Sequence, residues 1–227
     1  MTGTIENRTQ FLDTLLKKRG GVELPFEPYT LISDLPQTHL ADLSTDELLE
    51  LAKEQARRVS ANLVETTSSQ MNEIIQGLIE KSGGGQVIVP STDELEKLGV
   101  NIISDQLVKW KIGKEKREEN INAAQNSNVV VAVPKFFLAE SATIVVESEA
   151  GQGRSLHFLP THYISVIPLS RMVPRSTQAA TWLDENKKPG STLHFISGPS
   201  NSGDIEMQLV VGLHGPLEIN YVIVKDL

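Results

Sequence analysis

The apolar positions of the chain change their period near residue 86. Before that point they recur at helical spacing, which predicts helices over 5–19 and 69–82 and another that begins at Ser44. The run Ser44-Thr-Asp-Glu47 has the spacing of a capping box, which marks the start of a helix. Residues 1–85 are therefore predicted to form a mainly helical N-terminal portion.

Short apolar runs that predict strands dominate residues 86–227. The strongest is 128–133, which is apolar without alternation, as in a parallel strand covered on both faces. Other strands are predicted at 87–89, 100–103, 143–146, 163–167, 193–196 and 217–224, helices at 109–124 and 177–186, and a helical turn at 136–138.

Helices that alternate with such strands predict an α/β fold with an open, mostly parallel sheet. The adjacent strands near 143–167 indicate that part of it is antiparallel. We expect the strands at 87–89, 129–133 and 193–196 to lie in one sheet, and the helical portion to pack against it as one compact unit.

Composition and charge narrow the classes of function. The 227 residues carry a net charge of −8, so the chain lacks the electrostatic footprint of a general nucleic-acid-binding protein. There is no cysteine, which excludes thiolate catalysis and a cysteine-ligated zinc or iron–sulfur site within this chain. No secretory signal is visible, and no apolar run approaches the roughly 20 residues that span a bilayer. We expect a cytoplasmic protein without a membrane span.

The segment 197–206 is the main candidate for ligand binding. It follows the strand at 193–196 and is rich in glycine and serine, and the backbone N–H groups of such a loop attract anions. The candidate ligand-binding residues in it are Ser197, Gly198, Ser200, Ser202, Asp204 and Glu206. The alternative is a tight structural turn in which Asp204 caps the next element.

Two further residues are candidates for the same site. His214 lies in a sharp loop and could present its ring to a cleft, or hold the loop by a hydrogen bond. Glu140 lies in a polar break before a strand, where a carboxylate could meet a ligand. If 193–196 and 208–211 are neighbouring parallel strands, the segments 197–206 and 214–216 line one cleft at the same sheet edge.

Several other chemistries are disfavoured. There is no Walker motif, and Gly198-Pro-Ser-Asn-Ser202 lacks the final glycine of a nucleophile elbow. No metal site is predicted, because the spacing of the histidines suits none. The catalytic residues stay unknown. Arg154 could meet an anionic group or be a surface charge, and the charged segment 109–120 is either a solvated face or a docking surface.

The motifs resemble a known family. Ser197-Gly-Pro-Ser200, Asp204-Ile-Glu206 and Gly212-Leu-His-Gly-Pro216, with Leu138-Ala-Glu-Ser-Ala-Thr143 and the run 153–160, closely resemble the signature of the lactate utilization protein C family of LUD-domain proteins. The family usually has Arg-Thr where this chain has Asn201-Ser202, and glycine in place of Ala142.

The resemblance implies a LUD domain over 86–227 with the open sheet of sugar-phosphate isomerases, CoA-transferases and 5-formyltetrahydrofolate cyclo-ligases. It also implies a part in the oxidation of L-lactate to pyruvate. In that role this chain has no cofactor of its own, and its partners are iron–sulfur proteins. The alternatives are a stand-alone enzyme or binding protein for a phosphate- or carboxylate-bearing small molecule, and a structural subunit of an assembly.

Overall fold

The computed structural model describes residues 6–22, 25, 30, 32–186, 191–205, 208–212 and 214–227. The chain divides into two units, residues 1–34 and 35–227. The first contains helix α1 (Arg8–Lys18). The second contains α2 (Leu35–Thr38), α3 (Thr45–Arg58), α4 (Ser68–Lys81), α5 (Glu94–Lys97), α6 (Arg117–Asn126), α7 (Arg154–Phe158) and α8 (Ser176–Asn186).

The predicted capping box is confirmed at the start of α3. The Oγ atom of Ser44 accepts a hydrogen bond from the backbone N–H of Glu47 at 3.3 Å. In return, the Glu47 carboxylate accepts one from the backbone N–H of Ser44 at 2.8 Å. Both N–H groups would otherwise lack a partner, so the box fixes where the helix begins.

The strands of the second unit form two sheets and a hairpin. In chain order they are β1 (Asn62–Thr66), β2 (Val87–Val89), β3 (Leu107–Lys109), β4 (Val129–Ala132), β5 (Phe136–Leu138), β6 (Thr143–Ser148), β7 (His162–Pro168), β8 (Met172–Val173), β9 (Thr192–Ser197), β10 (Asn201–Ile205), β11 (Gln208–Val211) and β12 (Glu218–Val224).

The larger sheet has six strands in the order β1-β12-β7-β4-β2-β3, and every neighbouring pair is parallel. The second sheet has the order β8-β5-β6-β9, with β6 antiparallel to both of its neighbours. Strands β10 and β11 pair only with each other, as an antiparallel hairpin. The predicted α/β fold with a mostly parallel sheet is therefore confirmed.

Both faces of the six-stranded sheet are buried. Val130 and Tyr221 face a cluster that contains α3 and residues of the second sheet. Val129 and Val222 face the opposite cluster, with the apolar side chains of α4 and α5. The sheet is thus the middle layer of three, which explains why 129–132 is apolar at every position.

Several local predictions are wrong. Strand 193–196 lies in the second sheet and not in the same sheet as 87–89 and 129–133. Residues 136–138 form strand β5 instead of a helical turn, in keeping with the preference of aromatic residues for strands. The third strand along the chain in the parallel sheet is β3 and not 100–103, and half of the predicted loop 197–206 is strand β10.

The sequence pattern also missed β1, which lies at one edge of the parallel sheet beside β12. This strand falls within the portion 1–85. The division of the chain into a portion 1–85 and a domain 86–227 stays a prediction. In the part of the chain that the structure describes, no helix is long and apolar enough to cross a membrane.

Replacing Val130 by aspartate tests the central position of β4. Val130 is fully buried between β7 and β2, so Val130→Asp should lower the free energy of unfolding by about 3 kcal/mol or more, because an unpaired carboxylate loses its hydration. Val22→Asp is the matched control, since Val22 is 56% exposed. Urea denaturation measures both variants, and equal stabilities would contradict the assignment.

Candidate functional site

Three hydroxyl groups form a row where β6 and β9 pair. The antiparallel register places Thr143 opposite Ser197, and their hydroxyl groups are hydrogen-bonded to each other. The Oγ1 atom of Thr143 also lies 2.6 Å from the Oγ atom of Ser141. Ser197 is exposed, so one end of the row reaches the surface.

Tyr221 of the parallel sheet holds the backbone on both sides of this row. Its hydroxyl group donates a hydrogen bond to the backbone oxygen of Ala142 at 2.7 Å. It accepts one from the backbone N–H of Gly198 at 3.0 Å. Burial raises the pKa of Tyr221, so its hydroxyl remains protonated and acts as a structural link at neutral pH.

Gly198 is required where the chain leaves β9. Its φ is +65°, and a Cβ atom at this position would overlap the backbone oxygen of Val59. Only glycine permits both the left-handed conformation and this close approach to the end of α3. The sequence therefore predicted correctly where the chain breaks sharply after β9.

Glu140 adjoins the hydroxyl row as half of an ion pair. Its carboxylate accepts a hydrogen bond from the Nε atom of Arg175 at 2.8 Å, and the two side chains are 37% and 24% exposed. His39 Nε2 lies 4.0 Å from the other carboxylate oxygen. The site thus offers a guanidinium and hydroxyl groups as donors beside a carboxylate acceptor.

The segments around Ser200 and His214 are in contact, but they do not follow neighbouring parallel strands as predicted. Ser200 donates its N–H to the backbone oxygen of Pro216 at 3.0 Å and accepts the N–H of Gly212 at 2.8 Å. Its Oγ atom accepts the N–H of His214 at 3.3 Å. The base of the β10–β11 hairpin makes these contacts, so the idea that 193–196 and 208–211 are neighbouring parallel strands is wrong.

The remaining candidates lie farther along the hairpin. Ser202 and Asp204 belong to β10, which is a strand and not the start of a helix. Glu206 lies outside the described residues. The N–H groups of Gly198 and Ser200 are already bonded within the protein, so an anion here would meet side-chain donors. Ligand binding by the eight candidate residues stays a prediction.

Sequence reasoning missed Thr143, Arg175, Tyr221 and His39. Arg175 is 35 positions from Glu140, and Thr143 is 54 positions from Ser197, so no local spacing could pair them. Tyr221 offered a weak signal as the one phenol of its strand, directly before the apolar run 222–224. Its role appears only once β6 and β9 are placed beside it.

The other histidines lie apart from this row. His157 is fully buried, its Nδ1 atom is 2.9 Å from the hydroxyl of Tyr163, and burial lowers its pKa to about 3. His194 Nε2 lies 2.8 Å from the Oγ atom of Ser148. None of the hydrogen bonds in the described structure joins a histidine ring to the three hydroxyls, and no group of three or more His, Asp or Glu that could hold a metal occurs there.

The chain is similar to known proteins along nearly its whole length. A family model of the LUD domain matches residues 49–224. The chain is 39% identical to lactate utilization protein C of Geobacillus thermodenitrificans over 241 residues, covering 99% of this chain and 98% of that protein. It is 35% identical to lactate utilization protein C of Bacillus subtilis, with the same coverage.

A solved structure supports the fold alone. The crystal structure of a DUF162 family protein from Deinococcus radiodurans superposes with a TM-score of 0.59 at 18% sequence identity. The match covers 81% of this chain and 99% of that one.

Replacing two alanines by glycine, one at a time, tests the backbone conformation at the hydroxyl row. Ala142 has a φ of +46°, a left-handed conformation that costs an L-residue about 1–2 kcal/mol. Ala142→Gly should relieve this strain and offset the loss of a buried methyl group. Ala139→Gly removes an equally buried methyl without that relief, because Ala139 has no positive φ.

We expect both variants to be less stable than the wild type, and Ala142→Gly to lose less stability than Ala139→Gly. The difference between the two losses in free energy of unfolding should be at least about 1 kcal/mol. Chemical denaturation of the two variants measures the difference. An equal loss in both would contradict the strained conformation at Ala142.

Proposed function

Because this chain belongs to the LUD-domain family and, within it, to the lactate utilization protein C group, we propose that it takes part in the oxidation of L-lactate to pyruvate together with iron–sulfur partner proteins. The observation that carries the proposal is the 39% identity to a lactate utilization protein C, which extends over 99% of this chain and 98% of its relative. Similarity along both whole chains supports a shared role better than a shared fold would.

The composition of the chain suggests how the work is divided. Oxidation of a 2-hydroxy acid to a 2-oxo acid releases two electrons and two protons, so a redox group must accept the electrons. Iron–sulfur clusters are held by cysteine thiolates, and this chain contains no cysteine. We therefore assign the clusters to the partner proteins.

The candidate site suits a small acid or an acidic group of a partner. Arg175 donates from Nε to Glu140 and from Nη1 to the backbone oxygen of Leu35, so its remaining guanidinium N–H groups can meet a carboxylate. Ser141 and Ser197 add hydroxyl donors. Glu140 holds Arg175 in position through the 2.8 Å hydrogen bond. In this proposal Glu140 is a positioning residue.

Removal of this chain from its native host tests the proposal in the cell. Growth on L-lactate as carbon source should be lost, and growth on pyruvate should be unchanged, since pyruvate enters metabolism after the proposed step. A supplied copy of the wild-type chain should restore growth. Normal growth on L-lactate without the chain would contradict the proposal and favour a stand-alone enzyme or binding protein.

The same host tests Glu140. Glu140→Gln weakens the ion pair with Arg175 and should slow growth on L-lactate while the protein remains folded and abundant. Glu73→Gln is the matched control, because Glu73 is exposed on α4 and takes part in no ion pair of the described structure. Equal growth of both variants on L-lactate would contradict a role for Glu140 in the site.

Purified protein tests the division of work. The isolated chain should show no iron–sulfur absorption and no L-lactate-dependent dye reduction, because it cannot ligate a cluster with thiolates. Addition of the iron–sulfur partner proteins should give lactate-dependent reduction that requires this chain. Robust reduction by the isolated chain would refute the assignment.

A further inference from the structure

A cavity of about 820 Å³ lies where the chain leaves β3. Its walls come from residues 110–114, from the first turns of α6 and from residues 149–155. It is therefore at the carboxyl end of β3, the edge strand of the parallel sheet, which pairs with β2. Ligands of open α/β sheets bind outside the carboxyl ends of the strands.

Hydrogen bonds within the protein hold the walls of this cavity. The side chain of Asn120 is buried, and it accepts the backbone N–H of Lys111 at 2.8 Å and donates to the backbone oxygen of Lys111 at 2.7 Å. Ser91 donates its N–H to the backbone oxygen of Gly151 at 2.8 Å. The cavity is therefore preformed, as ligand sites usually are.

The floor of the cavity is apolar. Trp110 is 9% exposed and lies against Gly153, where a Cβ atom would overlap the indole ring. Ile121 and Ile112 extend the apolar surface, and Ile112 is 61% exposed. An exposed isoleucine beside the indole of Trp110 favours contact with a flat apolar ring.

The rim of the cavity is cationic in a chain whose net charge is −8. Lys114, Arg117 and Arg154 all line it, and none of them takes part in an ion pair of the described structure. Lys111 is paired with Glu119. Glu149 is the one acidic residue of the lining. Three cations from two separate segments exceed what a single carboxylate needs and match the charge of a phosphate group.

We propose that this cavity binds a small molecule that combines a phosphate group with a flat ring, as in a nucleoside monophosphate. The phosphate lies between Arg117 and Arg154, and the ring lies over the apolar floor at Trp110. The volume is within the range of about 300–1,000 Å³ that is usual for ligands of this size. This proposal is independent of the proposed role of the chain in the oxidation of L-lactate.

The variant Trp182→Phe makes the test specific to this cavity. The chain has two tryptophans, and Trp182 packs elsewhere, against Phe136, so the variant leaves Trp110 as the sole indole. The adenosine, guanosine, cytidine and uridine monophosphates are titrated into it, with calorimetry and Trp110 fluorescence as readouts. At least one should saturate both signals, and its nucleoside and inorganic phosphate should each bind at least about tenfold more weakly.

Arginine variants identify the phosphate contacts. Arg117→Gln and Arg154→Gln should each weaken binding by about tenfold or more, since each removes one charge-assisted contact. Arg58→Gln is the matched control, because Arg58 is an exposed arginine of α3 outside the cavity. Circular dichroism confirms that all variants are folded. No saturation by any of the four monophosphates below about 10 mM, or unchanged affinity in both cavity variants, would overturn the proposal.

Discussion

The hydroxyl group of Tyr221 ties the six-stranded sheet to the second sheet, and the position of the candidate site follows from this link. It bonds to the backbone of Ala142 before β6 and of Gly198 after β9. All three groups are buried or nearly so, and a buried polar group without a partner costs about 1–3 kcal/mol. The two sheets are therefore held in one relative position, with Thr143 and Ser197 facing each other beside the link.

Sequence reasoning succeeded where one local cause determines the structure. The apolar run of β4 has only one stable environment, a layer covered on both faces, and the capping box at Ser44 satisfies the helix start by itself. It failed where the partner is distant. Phe136 and its neighbours are too few to show a period, and their identity as a strand depends on pairing with β6. The same limit hid the pairing of Glu140 with Arg175.

The two polar regions differ in how far their charges are already satisfied. At the hydroxyl row, the carboxylate of Glu140 neutralises Arg175, so an arriving acid must compete with a group of the protein. At the cavity, Arg117 and Arg154 have no such competitor among the described residues. A free cation near an apolar floor gains more from an anionic ligand than a paired one does, because no existing ion pair has to be broken. We therefore expect the proposed site in the cavity to bind an anion more tightly than the hydroxyl row does.

Strand β6 extends from the hydroxyl row to the cavity. It begins at Thr143 in the hydroxyl row and ends at Ser148, next to Glu149 of the cavity lining. Six residues of strand extend over about 17 Å, and β6 pairs with β9 along this whole length. The β6–β9 ladder forms a continuous connection between the cavity and the hydroxyl row, and His194 bonds to Ser148 near its cavity end. Coupling between substitutions at the two ends of β6 would point to movement of this ladder.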